Sequence, residues 1–382
     1  MKNAFSLALI PLLALAANVS RAAAPIKIGQ VVTITGSNAP RGIPENNALK
    51  DEVARINAAG GILGRKIKLI GYDCKGDQLE AVNATRRLIG DGVCAIIGAS
   101  SSGPCIAMSA VTEPAGIPFI SPTATNPKVT FSQDKHMAIH TAFRACFTDP
   151  FLGTVAANFI TGELKAKTCA ILFDVGSDYS QGLDQYFREA FLRHGGTIVA
   201  REGFRSGETD FRAVLRKIKG FNPDVIYLSA DMTQAAMVVK QGRALGLKCT
   251  FFGDDSDGTP DLAALAGHAS GGFYYTSLCS QQDPATKGWI ADYTRKHGAV
   301  PLLPNCILAV DAMRAVAAAI TKAGSDDPAR IIAALEHLRN VPVLTGKLSM
   351  DPITHNPINK PCVIEMIKGG QIRFVKTITT IQ

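Results

Sequence analysis

Apolar residues along this chain fall in short runs bounded by Gly, Pro and Ser, separated by longer stretches whose apolar positions recur every three or four residues. The short runs predict strands buried on both faces, and the longer stretches predict amphipathic helices. Residues 26–32 give a strand, followed by a helix over 45–58 that Gly60 and Gly61 close. Residues 66–72 give the next strand and 77–89 its helix, with Leu79, Val82, Leu88 and Ile89 able to share a buried face. The runs at 95–97 and 118–120 predict two more strands around another helix. A short strand within 142–149 and then Pro150 mark a crossing, after which the alternation begins afresh. Residues 168–173, 197–204, 225–228 and 250–252 supply strands of a second sheet. Residues 272–277 then lead back to helical stretches at 285–297 and 308–322.

Strand and helix alternating in this way build right-handed strand-helix-strand units, so the fold class is α/β with two wound sheets. At 382 residues the chain is long enough for two lobes with separate cores. Ligands of such sheets sit beyond the carboxyl ends of the strands, where loop amides and helix N-termini face outward. The segment 95–130 puts Ser100, Ser101, Ser102, Thr123 and Thr125 in loops of that kind, suited to a small anion.

The N-terminus changes the compartment. Met1, Lys2 and Asn3 precede an apolar run over 4–17 and a small-residue region ending Ala22, Ala23, Ala24, which predicts a secretory signal peptide over 1–22. That run is too short, and is broken by Pro11, to serve as a permanent span. No cysteine lies at the junction to carry a lipid, so a soluble periplasmic protein is expected. The formal charge of +8 falls to +6 once Lys2 and Arg21 are removed. Lys and Arg are scattered, with none of the clustering that nucleic acid demands.

Nine cysteines in an exported chain make disulfides possible and leave at least one thiol unpaired. No Cys-x-x-Cys occurs; Cys94, Cys169 and Cys249 lie in or beside apolar strands as small hydrophobes. Cys74 and Cys105 follow strands on the same edge of the first sheet, and a bond between them is expected. His136 and His140 have metal-compatible spacing, but Glu does not follow the first and the region reads as a loop, so no metal or cofactor is expected. Catalytic signatures are missing too. The run from Gly98 ends in serine where a nucleophile elbow needs glycine, and Gly346-Lys347 is followed by leucine where a phosphate loop needs a hydroxyl.

Six motifs in order identify a family. INAAGGILG at 56–64, GASSSGP at 98–104, ISPTATNPKVT at 120–130, DYSQG at 178–182, ETDF at 208–211 and FFGDD at 251–255 resemble the leucine/isoleucine/valine-binding proteins of bacterial ABC importers. The resemblance runs from Ile26 to about Gly272. It implies a type I periplasmic binding fold: two doubly wound parallel-sheet lobes joined by a multi-strand hinge, with 25–143 plus 278–345 as one lobe and 144–277 plus 346–382 as the other. Such lobes close over a ligand by rotation. The family's frequent disulfide positions hold Gly76 and Ser101 here, so that bridge is absent.

By the same resemblance, an α-carboxylate is met by the hydroxyl and amide of Ser102 and by Thr125, beside a helix N-terminus contributing roughly 0.3–1 kcal/mol. The α-ammonium is met by the Thr123 carbonyl, the Thr125 hydroxyl and Asp255, with Tyr179 closing over the ligand. A loop aspartate can equally cap the helix that starts near Pro260, a role also open to Asp254 and Asp257. The side-chain pocket departs from the family pattern: Arg41, Ser100, Ser101, Asp231 and Asn305 stand where aliphatic binders carry apolar walls. Leucine gains from burial only against apolar surroundings, so a polar amino acid or a similarly polar metabolite is expected. Arg41 and Asp231 either contact that ligand or pair with each other. The expected partners are the permease and ATPase subunits of an importer, and the expected protein is a monomer that performs no chemistry. A sensor of the same fold, and a carrier of an amide, urea or an aromatic acid, are the competing readings.

Overall fold

The computed structural model describes residues 24–379 apart from Ser37, Thr259, Leu303 and Asn359; the predicted signal peptide lies outside the described residues. Two sheets carry the chain. The first has five strands in the order Ile67–Asp73, Ile26–Val32, Ala95–Ile97, Phe119–Ser121, Ala142–Arg144, and every neighbouring pair is parallel. Ile28, Ile97, Ile120 and Phe143 pack on one face beneath the helices Ala39–Ala58 and Asn305–Ala323. Val31, Ile96 and Phe119 pack on the other beneath Gln78–Gly90 and Ser102–Ala115. Helices on both faces make this lobe doubly wound, as expected.

The second sheet has seven strands, ordered Gln371–Ile378, Cys362–Lys368, Tyr274–Ser277, Thr250–Gly253, Val225–Ser229, Thr168–Asp174, Thr197–Phe204. The last five of these pair in parallel and the first two are antiparallel. Phe159, Phe187, Tyr227 and Phe252 fill one face, and Leu172, Leu228, Val238 and Phe251 the other. Burying each such side chain contributes about 1.5–3 kcal/mol, so both lobes hold full cores of their own. The chain crosses between them after Arg144, after Ser277 and before Cys362, the multi-strand connection anticipated above.

Three details differ from the expectations. The first helix starts at Ala39, six residues before the expected residue 45, because Pro40 sits in its first turn and Pro44 is accommodated within it. Its start is pressed onto the strand end before it: a Cβ on Gly42 would lie 1.7 Å from the Thr33 carbonyl oxygen. The antiparallel pair Cys362–Lys368 and Gln371–Ile378 was not predicted, although Gly369 and Gly370, both at positive φ, form the turn such hairpins require. Finally, all nine cysteines are free, and no bond joins Cys74 to Cys105. Their thiols face different neighbours: Cys105 Sγ lies 2.9 Å from the Ala99 carbonyl and Cys74 Sγ 3.3 Å from Thr33 Oγ1.

Candidate ligand-binding cleft

Strands that end at Val32, Ile97 and Ser121 in one lobe, and at Asp174, Ser229 and Gly253 in the other, deliver their following loops to one cleft of about 450 Å³. Arg41, Ser100, Ser101, Ser102, Thr123, Tyr179, Asp231, Asp255 and Asn305 all line it. Thr125 does not: it is fully buried behind the wall, its hydroxyl without a hydrogen-bond partner. That hydroxyl faces the buried Asp149 carboxyl, close enough to favour its ionised form yet outside hydrogen-bonding geometry, and burial still pushes Asp149 up to about 8.

The first wall is built on a helix start. Ser101 is the N-cap residue of Ser102–Ala115, with extended backbone, and its own side chain caps nothing. Ser102 is buried, and its hydroxyl accepts the Asn126 amide at 3.3 Å. First-turn N–H groups have no acceptor within their helix, so this end is a ready donor site. Thr123 is held by its hydroxyl donating to the Ser100 carbonyl at 2.8 Å. A Cβ on Gly103 would meet Gln78 Nε2 at 2.7 Å, and that amide donates across the cleft to Asp178 Oδ2 at 3.1 Å.

On the opposite wall Asp255 is 6 % exposed and accepts the Tyr179 hydroxyl at 2.6 Å. Its neighbours are engaged in the backbone here rather than at the helix Pro260–Ala266: Asp254 and Asp257 form a reciprocal capping box around the short turn Asp255–Asp257. Asp254 also accepts Ser229 Oγ at 3.0 Å and the Ser256 amide at 2.8 Å. Asp255 is thereby left free to face the cleft. Burial, and then the Asp254 charge, push it up to about 7, against the Tyr179 hydroxyl and the Arg41 charge. Tyr179 is itself pushed upward by burial and by those carboxylates.

Arg41 and Asp231 meet each other. Arg41 Nη2 is 3.5 Å from Asp231 Oδ2 and donates to the Ser256 carbonyl at 3.1 Å, linking the lobes. The other oxygen of Asp231 caps the helix Met232–Ala244 through the Thr233 amide.

Of the cleft residues that the sequence did not single out, one is buried deeply enough to matter most. Glu45 is 4 % exposed, lines the cleft, and accepts Ser100 Oγ at 2.6 Å and Asn305 Nδ2 at 3.3 Å. Burial pushes it up to about 7, against those two hydrogen bonds. Its position four residues after Arg41 puts the two on one helical face, but that spacing carried no signal while the helix was expected to begin only at residue 45. Asn305 reaches it because the helix begins at Asn305, three residues earlier than expected.

His136 and His140 flank the short strand Met137–Ala138, so their spacing does not place them on one helical face. Among the described residues no group of three or more His, Cys, Asp or Glu is arranged to hold a metal ion, and no helix is long and apolar enough to cross a membrane.

Residues 25–371 match the family model described as periplasmic binding protein. An amino acid binding protein of Pseudomonas aeruginosa is 32 % identical over 338 residues, 87 % of each chain. Among solved structures, the leucine binding protein LivK of Thermotoga maritima is similar with a TM-score of 0.85 and 30 % identity, covering 93 % of this chain and 99 % of that one. LivJ of Streptococcus pneumoniae, solved with isoleucine, has the same TM-score and identity over 93 % of this chain and 100 % of its own.

Proposed function

This chain belongs to the periplasmic binding protein family, and from that premise we propose that it is the solute-binding component of an ABC importer, carrying an amino acid with a polar side chain. The observation that carries this reading is a helix N-terminus on one wall and a tyrosine-held carboxylate on the other, facing one cleft. A free amino acid needs both: donors for its carboxylate and an acceptor for its ammonium, out of water. Ser102 and the free amides beside it take the carboxylate; Asp255 and the Thr123 carbonyl take the ammonium, with Tyr179 holding Asp255. Thr125, unpartnered behind the wall, backs the carboxylate end.

Relatives of this family bind leucine and isoleucine. Here the polar set of Arg41, Ser100, Asp231 and Asn305, joined by Glu45, favours a ligand able to hydrogen-bond, because an aliphatic side chain would take these polar groups out of water without adding a bond to any of them. Closure brings the lobes into the relation that a permease and its ATPase read, so loading itself is the signal and no chemistry is needed. The working form is a periplasmic monomer released by cleavage near Ala22.

Mass spectrometry of the solute that co-purifies after export, followed by thermal-shift screening of the twenty amino acids, tests this. The expected result is a polar amino acid bound with micromolar or tighter affinity, about 8 kcal/mol or more. Tight binding of leucine with no response to polar amino acids would overturn the polar assignment.

A further inference from the structure

The charges of the cleft do not balance around a simple zwitterion. Arg41 is the sole cation among the described lining residues, and it is already engaged by Asp231 and the Ser256 carbonyl. An α-ammonium answers Asp255, and an α-carboxylate answers the helix start at Ser102. Glu45 is then left over. It is 96 % buried by its 4 % exposure, and its partners, the Ser100 hydroxyl and the Asn305 amide, are neutral donors. A buried carboxylate held only by neutral donors is costly unless a cation reaches it.

The remaining carboxylates of the cleft point the same way. Asp174, Asp178 and Glu208 line it as well, and among the described residues no lysine does. The whole chain carries a net positive charge of +8, so a negative cleft is a local arrangement set against the overall balance. Walls of one sign concentrate ligands of the other.

We propose that Glu45, with Ser100 and Asn305 as its supports, selects amino acids whose side chain carries a positive charge. This rests on the amino-acid reading above and narrows it to one chemical class. The ligand's two nitrogen-bearing ends meet carboxylates from opposite lobes, Asp255 from the second and Glu45 from the first, so only a ligand spanning both satisfies the closed cleft. Glu45 is a specificity residue: it leaves the α-amino and α-carboxyl groups to others.

Isothermal titration of the exported protein, freed of bound solute by dialysis from denaturant, with L-lysine, L-arginine, L-glutamine and L-methionine tests this. Lysine or arginine is expected to bind at least about tenfold more tightly than glutamine or methionine. Glu45→Gln is expected to weaken the cation about ten- to a hundredfold while leaving methionine within about twofold. Glutamine or methionine binding as tightly as both cations to the unaltered protein would overturn the inference, with no variant required. An equal loss for all four probes in Glu45→Gln would overturn it too. Failure of all twenty amino acids to bind would instead bring down the amino-acid reading, and this inference with it.

Discussion

Asp255 and Glu45 are both buried carboxylates of one cleft, both pushed up to about 7 by burial, yet they are supported differently. Asp255 stands on a short turn whose backbone is fixed by the capping box of its neighbours, with a single hydroxyl on its side chain. Glu45 stands on a long helix and takes its two hydrogen bonds from side chains on separate segments, Ser100 after a strand and Asn305 at another helix start. The first position is set by local backbone and the second by assembly of the lobe. Accordingly, the first is the steadier anchor for the part every amino acid shares, and the second is the place where one ligand can be told from another.

The most damaging test of the contrast removes the anchor. Asp255→Asn is expected to cost about 3–5 kcal/mol of affinity for whichever amino acid binds best, because it strands a buried ammonium; titration that finds only a slight loss would remove Asp255 from the site. Gly42→Ala is next. With no room between the helix start and the Thr33 carbonyl, the variant is expected to lose about 1–3 kcal/mol of stability by denaturant melting. It is also expected to weaken binding through Glu45 more than through Asp255.

Tyr179→Phe removes one hydrogen bond to Asp255, and a loss of about 0.5–1.5 kcal/mol in affinity is expected. Ser100→Ala gives the matching measurement for Glu45, and the comparison fails if both variants change all ligands alike.

The same pair can be tested by pH. Asp255 and Glu45 are raised to about 7 and Asp149 to about 8, each above its ordinary value. Groups raised on folding stabilise the protein while protonated, so this contribution is whole below the ordinary carboxylate range. It is lost as pH rises through 7 to 8. The unliganded protein is therefore expected to melt at lower temperature at pH 8 than at pH 5. Affinity for an ammonium runs the other way, rising by at most about tenfold per pH unit for each carboxylate up to its pKa. A flat affinity profile between pH 6 and 8 would show that these carboxylates do not meet the ligand's cations.

Much of this was legible beforehand, for identifiable reasons. The strands of the two large sheets, except the C-terminal hairpin, stand out because a buried parallel strand must be apolar on both faces and its loops must turn on Gly, Pro or Ser, whereas the small antiparallel pairs Phe131–Ser132 with Met137–Ala138 and Val341–Val343 with Gly346–Leu348 do not. Ser102, Tyr179 and Asp255 lie in motifs whose order is itself informative. Glu45 was hidden inside an amphipathic helix, where a carboxylate ordinarily faces water. The burial of Thr125 was equally hidden, since a loop threonine looks alike in front of a wall or behind it.

The amino-acid sequence on its own determined the α/β alternation, the two lobes and the motifs that name the family, because these follow from local periodicity and from residues adjacent in the chain. Only the tertiary structure decided that Arg41 turns to Asp231, that Asp254 and Asp257 brace the turn from which Asp255 faces the cleft, and that Glu45 meets Ser100 and Asn305. Most of those partners lie on segments far apart in sequence, and which charge neutralises which is settled by distance and burial once the segments have packed.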